Sequence, residues 1–194
     1  MLTASAASAK QADNEIDYDA HGGTTLSNVH SHAKVTFKPT VLKTFITPAS
    51  NGNLDFTADL PLAPVTAGFK ADGRKPAKGV VVFTQVQPIT GEIDINGNTG
   101  NGYPVTGAAE YVVSLRDVVI DGRNAHVGTN CQTIEPVMVA VQAEPGFDLV
   151  TGTLKGSYDL GHFQDCGDHQ HFVNKTLPGR KNSLTLHIKG RTGS

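Results

Sequence analysis

Residues 166–172, CGDHQHF, place a cysteine, an aspartate and two histidines within seven positions, with His169 and His171 two apart. Upstream, VHSHAKVTFK repeats the H-x-H spacing at His30 and His32. On an extended strand, side chains i and i+2 leave the same face about 7 Å apart. Two imidazoles so placed can share a copper(II) or zinc(II) ion. If the two pairs met in space they would offer four nitrogens, with Asp168 adjacent and His162 nearby in sequence. The competing reading needs no metal. His30 and His32 fall on the polar face with Lys34 and Lys38, where solvated histidine requires no further role and ammonium groups disfavour a cation. His169 and His171 read as part of a loop beside a cysteine. CGDHQHF is therefore expected to be a cross-linked surface turn. Copper or zinc through the H-x-H pairs is the runner-up, and otherwise no cofactor is expected.

Other chemistry finds weaker footing. DINGNTGNG puts Asp94, Asn96 and Asn98 at the first, third and fifth positions of a calcium loop, but Thr99 stands where the turn glycine belongs and Val105 where the bidentate glutamate belongs. A Gly/Asn hairpin is expected instead. There is no G-x-S-x-G, H-E-x-x-H or S-x-x-K, and GFKADGRK has Arg74 and Lys75 where a phosphate loop needs Lys and Ser/Thr. No catalytic residue is assigned; a hydrolase with an unrecognised site is the third reading. Glycan platforms stack sugars on exposed aromatics, yet the chain has no Trp and four Tyr. Tyr111 and Tyr158 fall in strand patterns and are expected in the core, which leaves Tyr103 as the ligand-loop candidate.

The elements that must position these residues are strands. The chain has 194 residues, 16 Lys+Arg against 18 Asp+Glu, 21 Gly and 10 Pro. It carries no basic field for nucleic acid and no polybasic cluster for an anionic membrane. No apolar run approaches the roughly 20 residues of a membrane span. Period-two alternation recurs along the chain. VHSHAKVTFK, 29–38, reads as a half-buried strand with Val29, Ala33, Val35 and Phe37 on one face; Leu54, Phe56, Ala58 and Leu60 share another, and so do Leu184, Leu186 and Ile188, with His187 opposite. About nine strands are joined by turn sequences such as SNGN, ADGR and DGRN, without a convincing amphipathic helix. The expected fold is all-β: an antiparallel β-sandwich of Ig-like or jelly-roll-like type, with a small β-barrel as the alternative.

The leader MLTASAASAKQAD holds two A-x-A triplets of the kind signal peptidase accepts. Residues 1–9 are read as a residual signal-peptide tail, 10–27 as a flexible N-terminal segment, 28–190 as one β domain and 191–194 as a flexible tail or tag remnant. The two cysteines, Cys131 and Cys166, should pair in an exported chain, and no C-x-x-C suggests redox work.

The order HGGTTL, GNLDFTADLPLAPVTAGFKADG, IDGRNAHVGTNCQT, GTLKGSYDLGHFQDCG and LPGRKNSLTLHI resembles secreted actinobacterial all-β proteins of uncharacterised function, over about residues 21–188. The resemblance implies an exported all-β domain with a Cys131–Cys166 bridge and adds no chemistry; DHQH departs from it. Taken together, the expectation is a secreted, non-enzymatic binding or structural module at the cell surface. Its partner would be a protein or a cell-wall component, its site extracellular or cell-wall associated.

Overall fold

The computed structural model describes residues 15–28, 30–31, 33–71, 73–98 and 100–191. Twelve strands occur in chain order: β1 (Glu15–Thr25), β2 (Lys34–Pro48), β3 (Leu54–Asp59), β4 (Val65–Ala71), β5 (Lys75–Ile93), β6 (Val105–Ile120), β7 (Arg123–Asn124), β8 (Gln132–Thr133), β9 (Val137–Ala143), β10 (Thr151–Leu160), β11 (Phe163–Gln164) and β12 (Gly179–Gly190). A 3₁₀ turn, Gly167–His169, runs into the helix α1 (Gln170–Thr176).

All ladders are antiparallel, and they close. Hydrogen bonding runs β6-β9-β10-β12-β1-β2-β3-β5, and β5 returns to β6 through a ladder from Ala77↔Ile120 to Ile93↔Val105. Eight staves therefore form a barrel, not the sandwich expected first. The strand pattern is the same for both folds; only the β5–β6 pairing distinguishes them. Closure removes most of the free sheet edge.

The position of one stave is shared. β3 pairs with the C-terminal part of β2 and of β5, whereas β4 pairs with the N-terminal half of β5 and touches β2 at Lys34↔Gly68. Residues 60–64, LPLAP, join them. Pro61 and Pro64 have no N–H to give a ladder, so the chain leaves the wall there.

The interior is built by the alternation. Tyr18, Ala20, Val35, Phe37, Leu42, Ala58, Tyr111, Val113, Leu154, Leu186 and Ile188 are among the buried residues of one core. Outward positions of β1 and β12 are polar: Asp19, His21 and Thr25 on one, Ser183, Thr185, His187 and Lys189 on the other. An apolar inside and a polar outside suit a barrel standing in water, the reverse of a lipid-facing band. Among the described residues no helix is long and apolar enough to cross a membrane.

Phe56 shows how local sequence serves closure. A Cβ on its cross-strand partner Gly91 would lie 2.4 Å from the Phe56 ring, and one on Gly107, Gly91's partner in β6, 3.1 Å from it. The ring covers two bare glycines on adjacent staves, which lets the wall curve tightly around an aromatic.

Two expectations need correction besides the sandwich. Residues 15–25, expected to be flexible, are β1, a stave between β12 and β2. Its acidic residues point outward while Tyr18, Ala20 and Thr24 are buried. Second, the expected strand at 29–38 begins only at Lys34. A turn precedes it, in which Ser31 N–H donates to the Asn28 carbonyl at 3.0 Å and Leu26 N–H to the Ala33 carbonyl at 2.9 Å.

The disulfide joins Cys131 to Cys166 with a Cα–Cα distance of 4.3 Å. Both residues are fully buried. Two outcomes are expected. A chain beginning at residue 26 will lack a stave and give no cooperative unfolding transition by circular dichroism. Replacing both cysteines by serine will keep the β spectrum but lower the unfolding free energy in denaturant by about 4 kcal/mol, the loop-closure value for a sequence separation of 35.

Candidate functional site

Of the four histidines raised by spacing, the three that are described, His30, His169 and His171, form no metal-holding group with one another. His30 sits in the β1–β2 turn, its N–H donating to Asn28 Oδ1 at 2.8 Å, and it is exposed beside Gly73. His32 lies outside the described residues. His169 and His171 are in the 3₁₀ turn and α1, not in an irregular loop. On a helix, residues two apart face different ways, so the chelating spacing of a strand is lost. His169 packs edge-on against Phe172, with ring centroids 6.3 Å apart, and His171 faces solvent. Among the described residues no group of three or more His, Cys, Asp or Glu side chains could hold a metal ion.

Gln170 of CGDHQHF and the nearby Asn174 instead fasten a cap. Gln170 Oε1 accepts the Cys166 N–H at 3.0 Å, and Gln170 Nε2 donates to the Phe163 carbonyl. Asn174 accepts the Phe163 N–H at 2.7 Å and donates to its carbonyl at 3.0 Å. These bonds, with the disulfide, hold α1 over one end of the barrel, where Val173 and Leu177 are buried. Sequence reading missed a different pair: His21 and His187 face each other across β1 and β12, ring centroids 5.3 Å apart, with Thr153 Oγ1 3.0 Å from His187 Nδ1. The residues lie 166 positions apart, so no local spacing announces them. Two imidazoles fill only half of a tetrahedral zinc shell.

Tyr103 stands in an open cleft of about 550 Å³ with Asn98, Asn101, Gly102, Pro145 and Asp148. Its N–H donates to the Phe147 carbonyl at 2.8 Å, and its ring packs on the core. Asp148 accepts the N–H groups of Thr151 at 2.7 Å and Val150 at 3.0 Å. Those bonds, Thr151's first, hold its carboxyl below the usual carboxylate range. Asp94 likewise accepts from Asn96 and Gly97 N–H, at 3.1 and 2.8 Å. Both carboxylates are turn-formers, as expected of a Gly/Asn hairpin.

The strongest site geometry is inside the barrel. A void of about 70 Å³ lies among Phe37, Leu60, Ala109, Tyr111, Val137 and Leu186. Well-packed interiors leave few gaps larger than one water, and about 10–15 Å³ suffices for one water. The lining is apolar because the hydroxyls around it are already engaged. Tyr111 Oη donates to the Leu60 carbonyl at 3.2 Å. Tyr158 Oη and Thr24 Oγ1 are 2.7 Å apart, and Thr24 donates to the Ser183 carbonyl at 2.7 Å. A smaller void of about 30 Å³ continues toward the α1 cap, among Leu26, Val35, Ala67, Leu115, Phe163 and Leu177.

The side wall beside the larger void is thin. Between Ala58↔Ile89 and Val65↔Val81, the β5 residues 82–88 have no ladder partner on that flank. The LPLAP segment covers the gap, tied by side chains: Leu60 N–H donates to Gln85 Oε1 at 2.8 Å, and Thr40 Oγ1 donates to the Pro61 carbonyl at 2.7 Å. Outside lies an open cleft of about 530 Å³ that includes Lys43, Asp59, Leu62, Phe83, Gln85 and Val86. Leu62 and Phe83 line both cleft and void.

No protein-family model, curated protein or solved structure matches the chain. The site therefore rests on its own geometry.

Three interior phenols carry a pH consequence. Burial, and then the charge of Asp59, pushes Tyr111 above the ordinary phenol value. Burial raises Tyr158, with the Thr24 hydrogen bond opposing, and burial followed by the Asp148 charge raises Tyr18. A phenol held neutral in this way stabilises the fold fully below about pH 10, and that contribution is lost as pH climbs toward the folded-state value. Alkaline titration is expected to show these phenolates forming together with loss of the β circular-dichroism signal. Free titration of all the tyrosines in an intact fold would contradict it.

Proposed function

We propose that the protein is a non-enzymatic binding module, working outside the cytosol, that takes a small apolar molecule into its barrel interior. The observation that carries this reading is the void beside Tyr111: about 70 Å³, lined without free polar groups, under a wall segment held by side chains in place of a ladder. Eight-stranded barrels are just wide enough to be filled by side chains or to hold one small ligand. Here the filling is incomplete. An apolar void of this kind stays dry, and a dry void binds apolar guests. With the lining hydroxyls of Thr24, Tyr111 and Tyr158 engaged, the lining itself gives a guest nothing to hydrogen-bond, so affinity must come from buried apolar area.

The buried disulfide fits an oxidising compartment. Among the described residues no carboxylate lines the void, and Asp59 lies in the outer cleft.

Methyl NMR tests the reading. Adding cyclopentane should give saturable shifts in Leu60, Val105, Val137 and Leu186 and leave the outward Val80 unmoved. Ala109→Leu should fill the space, keep the fold and weaken uptake by about tenfold or more. Shifts confined to exposed side chains, or uptake unchanged in the filled variant, would overturn it.

A further inference from the structure

Phe83 is the one described residue that lines the larger void, the smaller void and the outer cleft together. From this we infer that Phe83 is a gate, and that the ligand is an amphiphile with a single aliphatic chain, admitted through the side wall with its polar end left in the cleft. The inference rests on the reading that the interior binds an apolar guest.

Pockets that hold whole ligands run to about 300–1,000 Å³. The larger void, at about 70 Å³, accepts only a guest of a few atoms as it stands. Anything bigger needs a side chain to move. The two voids lie end to end along the barrel, sharing Thr24, Phe83, Val113 and Tyr158 at their junction. Tyr158 and Thr24 are locked by their hydroxyl chain to the Ser183 carbonyl, and Val113 is small and buried. Phe83 has no such lock. Its ring meets Phe37 and Tyr111 edge-on, at centroid distances of 5.4 and 6.3 Å, and it is only half-buried.

The backbone beneath it has slack. Phe83 sits in the β5 stretch without a ladder partner on the LPLAP side, and the β5–β6 register shifts at Gln85/Gln87 and again at Gln87/Thr90. A change of Phe83 rotamer, from one staggered well to another, would join the two voids into one narrow channel and open it to the cleft.

The shape of that channel selects the guest. Its lining runs from Ile89 and Val105 to Leu115 and Leu177, ten residues along β6, for a small joint volume, which suits a chain better than a fused ring. The rim outside is polar, with Lys43, Asp59, Thr84 and Gln87. A head group that cannot shed its water would remain there.

Isothermal titration with linear 1-alkanols from butanol to decanol, and with the cage alcohol 1-adamantanol, tests this on the whole protein. The wild type should bind the shorter linear alkanols with affinity rising about three- to fourfold per methylene until the joined voids are full and then levelling off, and reject the cage. Phe83→Ala should admit the cage and take up the linear chains about tenfold faster in stopped flow, with the rate difference reflecting the lost gate. Phe83→Leu, which preserves apolar bulk, should fall between the two and serves if the alanine variant loses its β spectrum. Rates and selectivity identical in wild type and both variants would overturn the gate while leaving interior binding intact. Failure of wild type and variants alike to bind any alkanol would instead overturn the underlying reading.

Discussion

A closed barrel must fill its own interior, and everything else in this protein follows from how it does so. The ladder between β5 and β6 turns a row of strands into a cylinder. Once closed, each stave contributes alternate side chains to a space of fixed width. Where a large ring enters, neighbouring staves supply glycine, as Gly91 and Gly107 do beneath Phe56. Where the hydroxyls of Tyr158, Thr24 and Tyr111 enter, they bond one another or the backbone. The filling falls short along the flank where β3 gives way to β4, and there the void, the covering segment and the outer cleft meet.

The two ends of the barrel are treated differently from its side. One end is shut by α1, pinned by the disulfide and by the Gln170 and Asn174 amides. The other is shut by loops in which Tyr103 and Phe147 are joined by backbone and Tyr18 Oη donates to the Leu149 carbonyl at 2.8 Å. The LPLAP cover has two prolines and no ladder. Local opening favours segments with few buried backbone bonds, so the side wall is the weakest enclosure of the three.

Alternation made most staves legible in sequence: Leu54, Phe56, Ala58 and Leu60 lie on the core side as their spacing predicts, and so do Leu184, Leu186 and Ile188. Tyr111 and Tyr158 are buried as expected, and the cysteines pair. Closure was not legible, because strand pairing between β5 and β6 leaves no local signal that separates a barrel from a sandwich. β1 was hidden by its acidic outward residues and by Gly22 and Gly23, which weaken the inward pattern. α1 was hidden by its length, seven residues, too few for a period of 3.6 to declare itself. The void could not be read from sequence at all, since it is set by how Phe37, Phe83 and Tyr111 share space across three staves. The H-x-H spacing drew attention to His30, which lies in a turn, and to His169 and His171 on a 3₁₀ turn and a helix, where residues two apart lose their strand geometry.

The central claim is that the space beside Tyr111 is empty of water and open to an apolar guest. Crystals of the protein held under xenon pressure test it directly. The account predicts a single strong xenon peak among Phe37, Ala109, Tyr111 and Val137, with little shift of the surrounding side chains. Ordered water at that position, or xenon bound only on the outer surface, would contradict it.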